Sequence, residues 1–375
     1  MSTRFAAALL APVCLCAAAP AFEPHVIATG LDAGYQVVPF DVNRDGKMDL
    51  IALASRLNDL LWFEGPSWKR HVLASGLSRM INVAACGDAM VVAHAFENEP
   101  KRSIGIVSVL EPGEDRSKPW KVREIDRLTT SHRIRCASPE GPGQTIFVNA
   151  PLAGAKAEAP NYKDRVPLVF YRPGEWTRVT IDASNEGVMH GIFVHPWAGG
   201  QRDHILTASF SGIHDYWIDK KGQWQRVEIA TGDPAPAPKS GASDIAVGYL
   251  AKRKFLASIE PWHGNQLVVY TEKRGVWKRN VIDDSLVDGH TVVTADLDGD
   301  GRQEVIAGFR GQGRSVYLYH SNDPRGERWF RTPLDQGGMA AAACAAADLN
   351  GDGRVDIACI GSATANLKWY ENKGK

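Results

Sequence analysis

The chain has 375 residues, and its 43 Lys and Arg are balanced by 43 Asp and Glu. Its net charge therefore gives no electrostatic case for a nucleic-acid or anionic-membrane partner. Eleven Trp, nine Tyr and twelve Phe supply a large core and argue against a long disordered tail, and the length suits two average domains or one large all-β domain.

In chain order, the start MSTRFAAALLAPVCLCAAAPAF has a basic Arg4, an apolar run and the motif Ala19-Pro20-Ala21. This is the pattern of a secretory leader cleaved after Ala21, with an apolar stretch too short for a membrane span. Residues 1–21 are read as a signal peptide and 22–375 as the mature domain, exported to a periplasmic or extracellular compartment. Cys14 and Cys16 lack the small residues that precede a lipid-modified cysteine. The mature chain keeps Cys86, Cys136, Cys344 and Cys359, at spacings that match no zinc pattern. Buried free thiols are the expectation for them, although Cys344 and Cys359 lie nearly opposite on one hairpin and could bridge if oxidised.

From Phe22 onward a short β phrase recurs: FEPHVIA (Phe22), WKRHVLA (Trp68), WKVREID (Trp120), WTRVTID (Trp176), WQRVEIA (Trp224), WKRNVID (Trp277) and WFRTPLD (Trp329). Successive starts differ by 46, 52, 56, 48, 53 and 52 residues. A period near 50 residues means a propeller or another repeat array. Most of the phrases follow an aromatic strand and a turn, as in LLWFEG (60–65) and LVVYTEKRG (267–275), which is a hairpin signal. Two further apolar strands precede these, clearest in VVTADLDGDGRQEVIAGF (292–309). Four strands per unit, A to D from the axis outward, predict an all-β, seven-bladed propeller. The lone N-terminal copy is expected to complete the last blade and close the ring.

Three units carry an acidic loop between strands A and B: DVNRDGKMD (41–49), DLDGDGRQE (296–304) and DLNGDGRVD (348–356). Oxygen side chains at loop positions 1, 3, 5 and 9, with Gly at 6, suit a hard cation. The candidate ligands are Asp41, Asn43, Asp45 and Asp49; Asp296, Asp298, Asp300 and Glu304; and Asp348, Asn350, Asp352 and Asp356. No bidentate Glu stands at position 12 and no helices flank the loops, so these are not EF-hands. With these loops the chain resembles the FG-GAP/VCBS repeat propellers over 22–375. The resemblance implies structural Ca2+ in up to three loops that stiffens the blades; blades 2 to 5 have lost the motif.

Counting back to the start of strand A in each unit gives Tyr35, Asn82, His132, His190, Asp244, His290 and Ala342. Equivalent positions on seven inner strands should face one mouth of the channel, opposite the acidic loops. The ends of strand B add Arg56, Glu260 and Arg310, with Trp262 and His263 just beyond in IEPWHGNQ (259–266). Polar groups that converge at a channel mouth form a binding-site candidate for carbohydrate or another small polar ligand. His132, His190 and His290 could hold an additional divalent metal or supply a general base, whereas a lone strand-start histidine is ordinarily a structural residue.

The IEPWHGN phrase, GVMHGIF (187–193) and VDGHTVV (287–293) also look like the propeller portion of the aldos-2-ulose dehydratase family. That resemblance implies a lyase that removes water from keto-sugars, with His190 or His290 as base, His263 or Glu260 as acid, and Arg310 holding the enolate oxygen. Tyr35, Arg56, Asn82, Trp262 and Asp244 would then contact substrate. The family also carries cupin domains, to which the resemblance does not extend. A non-catalytic carbohydrate- or protein-binding propeller is the alternative, and the fold alone does not choose between them.

Overall fold

A computed structural model describes residues 20–196 and 200–375. Nearly all of the expected leader, with Cys14 and Cys16, lies outside the described residues. Among the described residues no helix is long and apolar enough to cross a membrane.

Seven four-stranded antiparallel sheets succeed one another along the chain. Their innermost strands are Gly34–Phe40, Asn82–Cys86, Ser131–Ala137, Met189–Pro196, Asp244–Leu250, Gly289–Ala295 and Ala341–Ala347. The tryptophan phrases form the outermost strands. In the last sheet that place is taken by Ala21–Thr29, which pairs with Asn366–Gly374. Strand B is buried along its whole length in most blades, for example Asp49–Ala54 and Ile146–Pro151, whereas the outer strands are half exposed. This gradient explains why B reads as a continuous apolar run and D as an alternating one.

The core is divided among the interfaces between blades. Seven apolar clusters each join two neighbouring sheets, and one of them (Leu31, Leu50, Phe63, Ile360, Leu367) unites blades 7 and 1. Each fully buried aliphatic or aromatic side chain there contributes about 1.5–3 kcal/mol.

A polar clip recurs at the same interfaces, and the tryptophan phrase encodes it. The Asp that ends one phrase accepts from a buried Tyr on strand C of the next blade and pairs with the Arg at position 3 of the next phrase. Asp126 takes Tyr171 and Arg178. Asp182 takes Tyr216 and Arg226, and Asp283 takes Tyr319 and Arg331. Asp335 takes Tyr370, and Lys368 stands in for Arg because position 3 of the N-terminal phrase is Pro24. Where the phrase ends in Ala74, the next blade has Val122 in place of Arg.

The cysteines correct the expectation of free thiols. Cys86–Cys136 ties blade 2 to blade 3, and Cys344–Cys359 bridges two paired strands of blade 7. Both bridged cysteines of the first pair lie four residues beyond their strand-A starts, so consecutive blades bring them side by side.

Candidate functional site: a histidine cluster at the channel mouth

The strand-A starts are shaped by β-bulges. Pairing with strand B shifts register across Tyr35, His132, His190, His290 and Ala342, which leaves each of them as the extra residue. A bulge re-aims the side chain it carries. Here it brings four side chains together at the axis: His132 and His190 have ring centroids 4.8 Å apart, His190 and His290 5.2 Å, and Tyr35 and His290 5.3 Å. Blades 2 and 5 have no bulge, and their Asn82 and Asp244 instead accept from the neighbouring inner strand at Ile134 N (2.8 Å) and Val292 N (3.2 Å).

His263 reaches the cluster from blade 5 and bridges blades 4 and 6. It is the third residue of a tight turn in which Gly264 N donates to Pro261 O, and its own φ is +49°, a left-handed conformation that persists only where the surroundings enforce it. A side chain at Gly264 would meet Glu260 O at 2.3 Å, so the turn requires glycine. Gly289 N donates to Gly264 O at 2.9 Å, which packs the blade 5 turn against the start of strand A in blade 6.

One ring nitrogen each from His190, His263 and His290 lies within 4.8 Å of the other two. His190 Nδ1 faces Ser243 O at 3.1 Å, and His290 Nδ1 donates to Ala342 O at 2.5 Å. Those contacts place a proton on Nδ1 and leave the lone pair on Nε2. His290 Nε2 is buried without a partner, while the Nε2 atoms of His190 and His263 are 3.3 Å apart. His263 Nδ1 accepts from Arg310 Nη2 at 3.3 Å and stands 3.4 Å from Asp288 Oδ1, an acid that Arg310 holds with two further bonds, at 3.0 and 3.1 Å.

His132 is not part of this trio, which corrects the His132–His190–His290 expectation: its Nε2 is engaged by the Tyr35 hydroxyl at 2.8 Å. Burial, reinforced by neighbouring guanidinium groups, pushes His132, His190 and His290 well below the usual histidine value, and His263 falls to about 3. All four rings are therefore neutral at physiological pH, the form in which imidazole binds metal.

Trp262 covers the cluster, 4.8 Å from His263 and edge-on to Tyr162 at 5.6 Å. Below the histidines, a cavity of about 180 Å3 is lined by Tyr35, Asn82, Arg133, Arg135, Asp244 and His290, among others. Burial raises the Asp244 carboxyl despite the two arginines, and lowers Arg135 to about 10.

Two expected site residues stand elsewhere. Arg56 is exposed on blade 1, and among the described residues no side-chain hydrogen bond joins it to the histidines. Glu260 is fully buried in the layer between blades 4 and 5, where it accepts from Tyr270 Oη at 2.6 Å and Arg279 Nε at 2.8 Å. It forms the clip that Ala230, at the end of the preceding phrase, cannot supply, and both its oxygens are taken up there rather than at the histidines. Conversely, Arg133, Asp288 and Ser243 had no motif of their own. Their one sequence signal was adjacency, since Arg133 follows His132 and Asp288 lies two residues before His290.

The acidic loops lie at the opposite ends of the inner strands, and all three fold alike. In each, the residue 1 carboxylate accepts from the amides of residues 5 and 6, as Asp296 does from Asp300 and Gly301. Position 6 has positive φ in every case, at Gly46, Gly301 and Gly353. The position 9 acids are buried and tied to backbone amides; Asp49 accepts from Val42 and Gly65, and Asp356 from Leu349 and Asn372. Among the described residues the 296–304 loop alone gathers three acidic side chains, Asp296, Asp298 and Glu304, within 4.8 Å. Burial, with the neighbouring acids adding to it, pushes Glu304 up to about 8.

The model of the β-propeller domain of aldos-2-ulose dehydratase matches residues 104–273, a span that contains His132, His190, Trp262 and His263. An FG-GAP-like repeat model matches 296–359. The chain resembles this dehydratase propeller. Aldos-2-ulose dehydratase of Phanerodontia chrysosporium is 29% identical over 293 residues, which cover 68% of this chain and 32% of that protein. The match thus spans about a third of the relative's length. The Dos1 propeller superposes with a TM-score of 0.56 at 10% identity, over 95% of this chain and 96% of the other, a likeness of fold alone.

Proposed function

We propose that the protein is an exported, metal-dependent carbon–oxygen lyase that removes water from a keto-sugar at the histidine mouth of the channel. The observation that carries this reading is the convergence of His190, His263 and His290, with a backbone carbonyl anchoring Nδ1 of His190 and of His290. Three neutral imidazoles, two backed by carbonyl acceptors and the third beside the Asp288–Arg310 pair, form the donor set of a catalytic zinc-type site with an open position. Without a cation, His263 Nε2–H can donate to His190 Nε2. For His263 to serve as a ligand that proton would have to move to Nδ1, where the Arg310 bond would give way to the Asp288 carboxylate, 3.4 Å away. The two facing lone pairs, 3.3 Å apart, would then repel unless a cation lay between them. A divalent cation there, when bound, supplies Lewis-acid polarisation of the keto oxygen.

The remaining side chains supply the proton chemistry. His132, neutral and with a buried unpartnered Nδ1, takes the proton beside the carbonyl and returns it to the β-hydroxyl, so that the C–H and C–O bonds break, a C=C bond forms and water leaves. Tyr35 bridges His132 and Arg133 and holds the base in place. Because burial makes His132 a weak base, acidification of the substrate C–H must come from the polarised carbonyl. Trp262 forms an apolar wall over the ring. Export fits the leader and the two disulfides, and Ca2+ in the 296–304 loop fits its three convergent acids.

The test is to incubate zinc-loaded protein with 2-keto- and 3-keto-glucose and follow the ultraviolet absorbance of an unsaturated ketone. The expected result is a rise that is lost, together with bound zinc, in His290→Ala. No rise on either sugar from protein that holds zinc would overturn the proposal.

A further inference from the structure

Arg133 is only 6% exposed, yet among the described residues no carboxylate forms an ion pair with it. Its partners are neutral: the Tyr35 hydroxyl at 3.3 Å, His190 Nε2 at 3.5 Å, and the Tyr35 ring 5.3 Å beneath the guanidinium. A buried charge without a counter-charge is costly and is ordinarily paired. The other cation in the channel, Arg135, is held by Asn82 Oδ1 and Ile134 O. Asp244 is the acid lining the same cavity; it feels the charge of both arginines, Arg133 foremost, but it is bonded to Val292 N and forms an ion pair with neither, so one carboxylate faces two guanidinium groups. Arg310 is matched by Asp288. The channel therefore carries one more guanidinium than carboxylate, beneath rings that are neutral.

A cation on the three histidines enlarges this excess. It also takes the His190 lone pair that Arg133 now faces, and so frees Nη2 towards the cavity. The cavity, about 180 Å3, holds roughly six waters' worth of volume, enough for one sugar ring and too little for an oligosaccharide. We infer that the ligand of this channel is an acidic monosaccharide, a keto-sugar acid whose carboxylate pairs with Arg133. This rests on the proposed site and deepens it by naming the substrate class. Arginine suits the role because its planar fork matches a carboxylate with two parallel hydrogen bonds.

Calorimetric titration of metal-free and zinc-loaded protein tests the inference, with 2-keto-D-gluconate, 2-keto-D-glucose and acetate as probes. The keto-acid should bind at least about tenfold more tightly than the neutral keto-sugar and than acetate, and its affinity should fall with added salt. In Arg133→Gln the preference for the acid should disappear, and in Arg133→Lys it should survive in part. Zinc content and melting temperature would confirm that both variants are folded. Equal or tighter binding of the neutral sugar, a preference that persists in Arg133→Gln, acetate binding as well as the keto-acid, or no binding of the keto-acid would each overturn the inference. Failure here is distinguishable from failure of the lyase reading. Loss of water from neutral keto-sugars without any acid preference removes only the role of Arg133. Arg133-dependent binding of the acid without turnover of any sugar removes only the lyase.

Discussion

Glu260→Ala should cost stability and leave the proposed keto-sugar turnover in place. The carboxylate is fully buried and accepts from Tyr270 and Arg279. Removing one partner of a buried ion pair costs about 3–5 kcal/mol. Arg279 retains some access to water, with 27% of its side chain exposed, so the lower end, about 3 kcal/mol, applies. Unfolding entropy is about 2.1 cal/mol/K per residue. For a domain of roughly 350 residues that sum is about 0.75 kcal/mol/K, and the melting temperature should drop by about 4 °C. The assay is a thermal melt beside turnover on a keto-sugar. Ala230→Asp supplies a rescue, because Asp at that phrase position clips the next blade at Asp126, Asp182, Asp283 and Asp335. The Glu260→Ala, Ala230→Asp double variant should recover most of the lost stability. A loss of turnover of about a hundredfold or more with an unchanged melting temperature would refute this reasoning and return Glu260 to the active site.

Two further outcomes follow from the same structure. Glu304→Gln should abolish the rise in melting temperature that calcium gives the wild-type protein, a rise expected because bound ion stabilises only the folded state; an unchanged calcium response in the variant would exclude the 296–304 loop. His94, His195 and His214 lie outside the cluster, and burial lowers each to about 4. Their folded values are depressed, so the unfolded chain binds more protons between about pH 4 and 6.5, and the stability they contribute is complete above 6.5 and lost as pH falls towards 4. Ring resonances of these three that titrate near 6.5 in the folded protein would contradict their burial.

The ring of seven sheets was legible in the chain because a blade is a local unit. Its hairpins, its phrase and its strand period lie within some 50 consecutive residues, and the copies declare themselves by repetition. Repetition also located the mouth: Tyr35, His132, His190 and His290 were aligned by counting alone, and identical strand positions in a closed ring must face the same axis. What counting could not see is where a repeat is repaired by a different residue. Glu260 looked functional because it ends strand B at the channel mouth, and only the packing of blade 5 on blade 4 shows it replacing the Asp missing at Ala230. The trio of His190, His263 and His290 is of the same kind. His263 comes from a turn outside the aligned position and fills the gap between blades 4 and 6, while His132, which is aligned, is drawn away by Tyr35. Local sequence dictates which strands form and how they alternate, because hydrogen bonding and burial within one sheet are short-range in the chain. Which nitrogen faces a lone pair, a backbone carbonyl or a guanidinium is decided by residues one or more blades away, and only the closed ring brings those into contact.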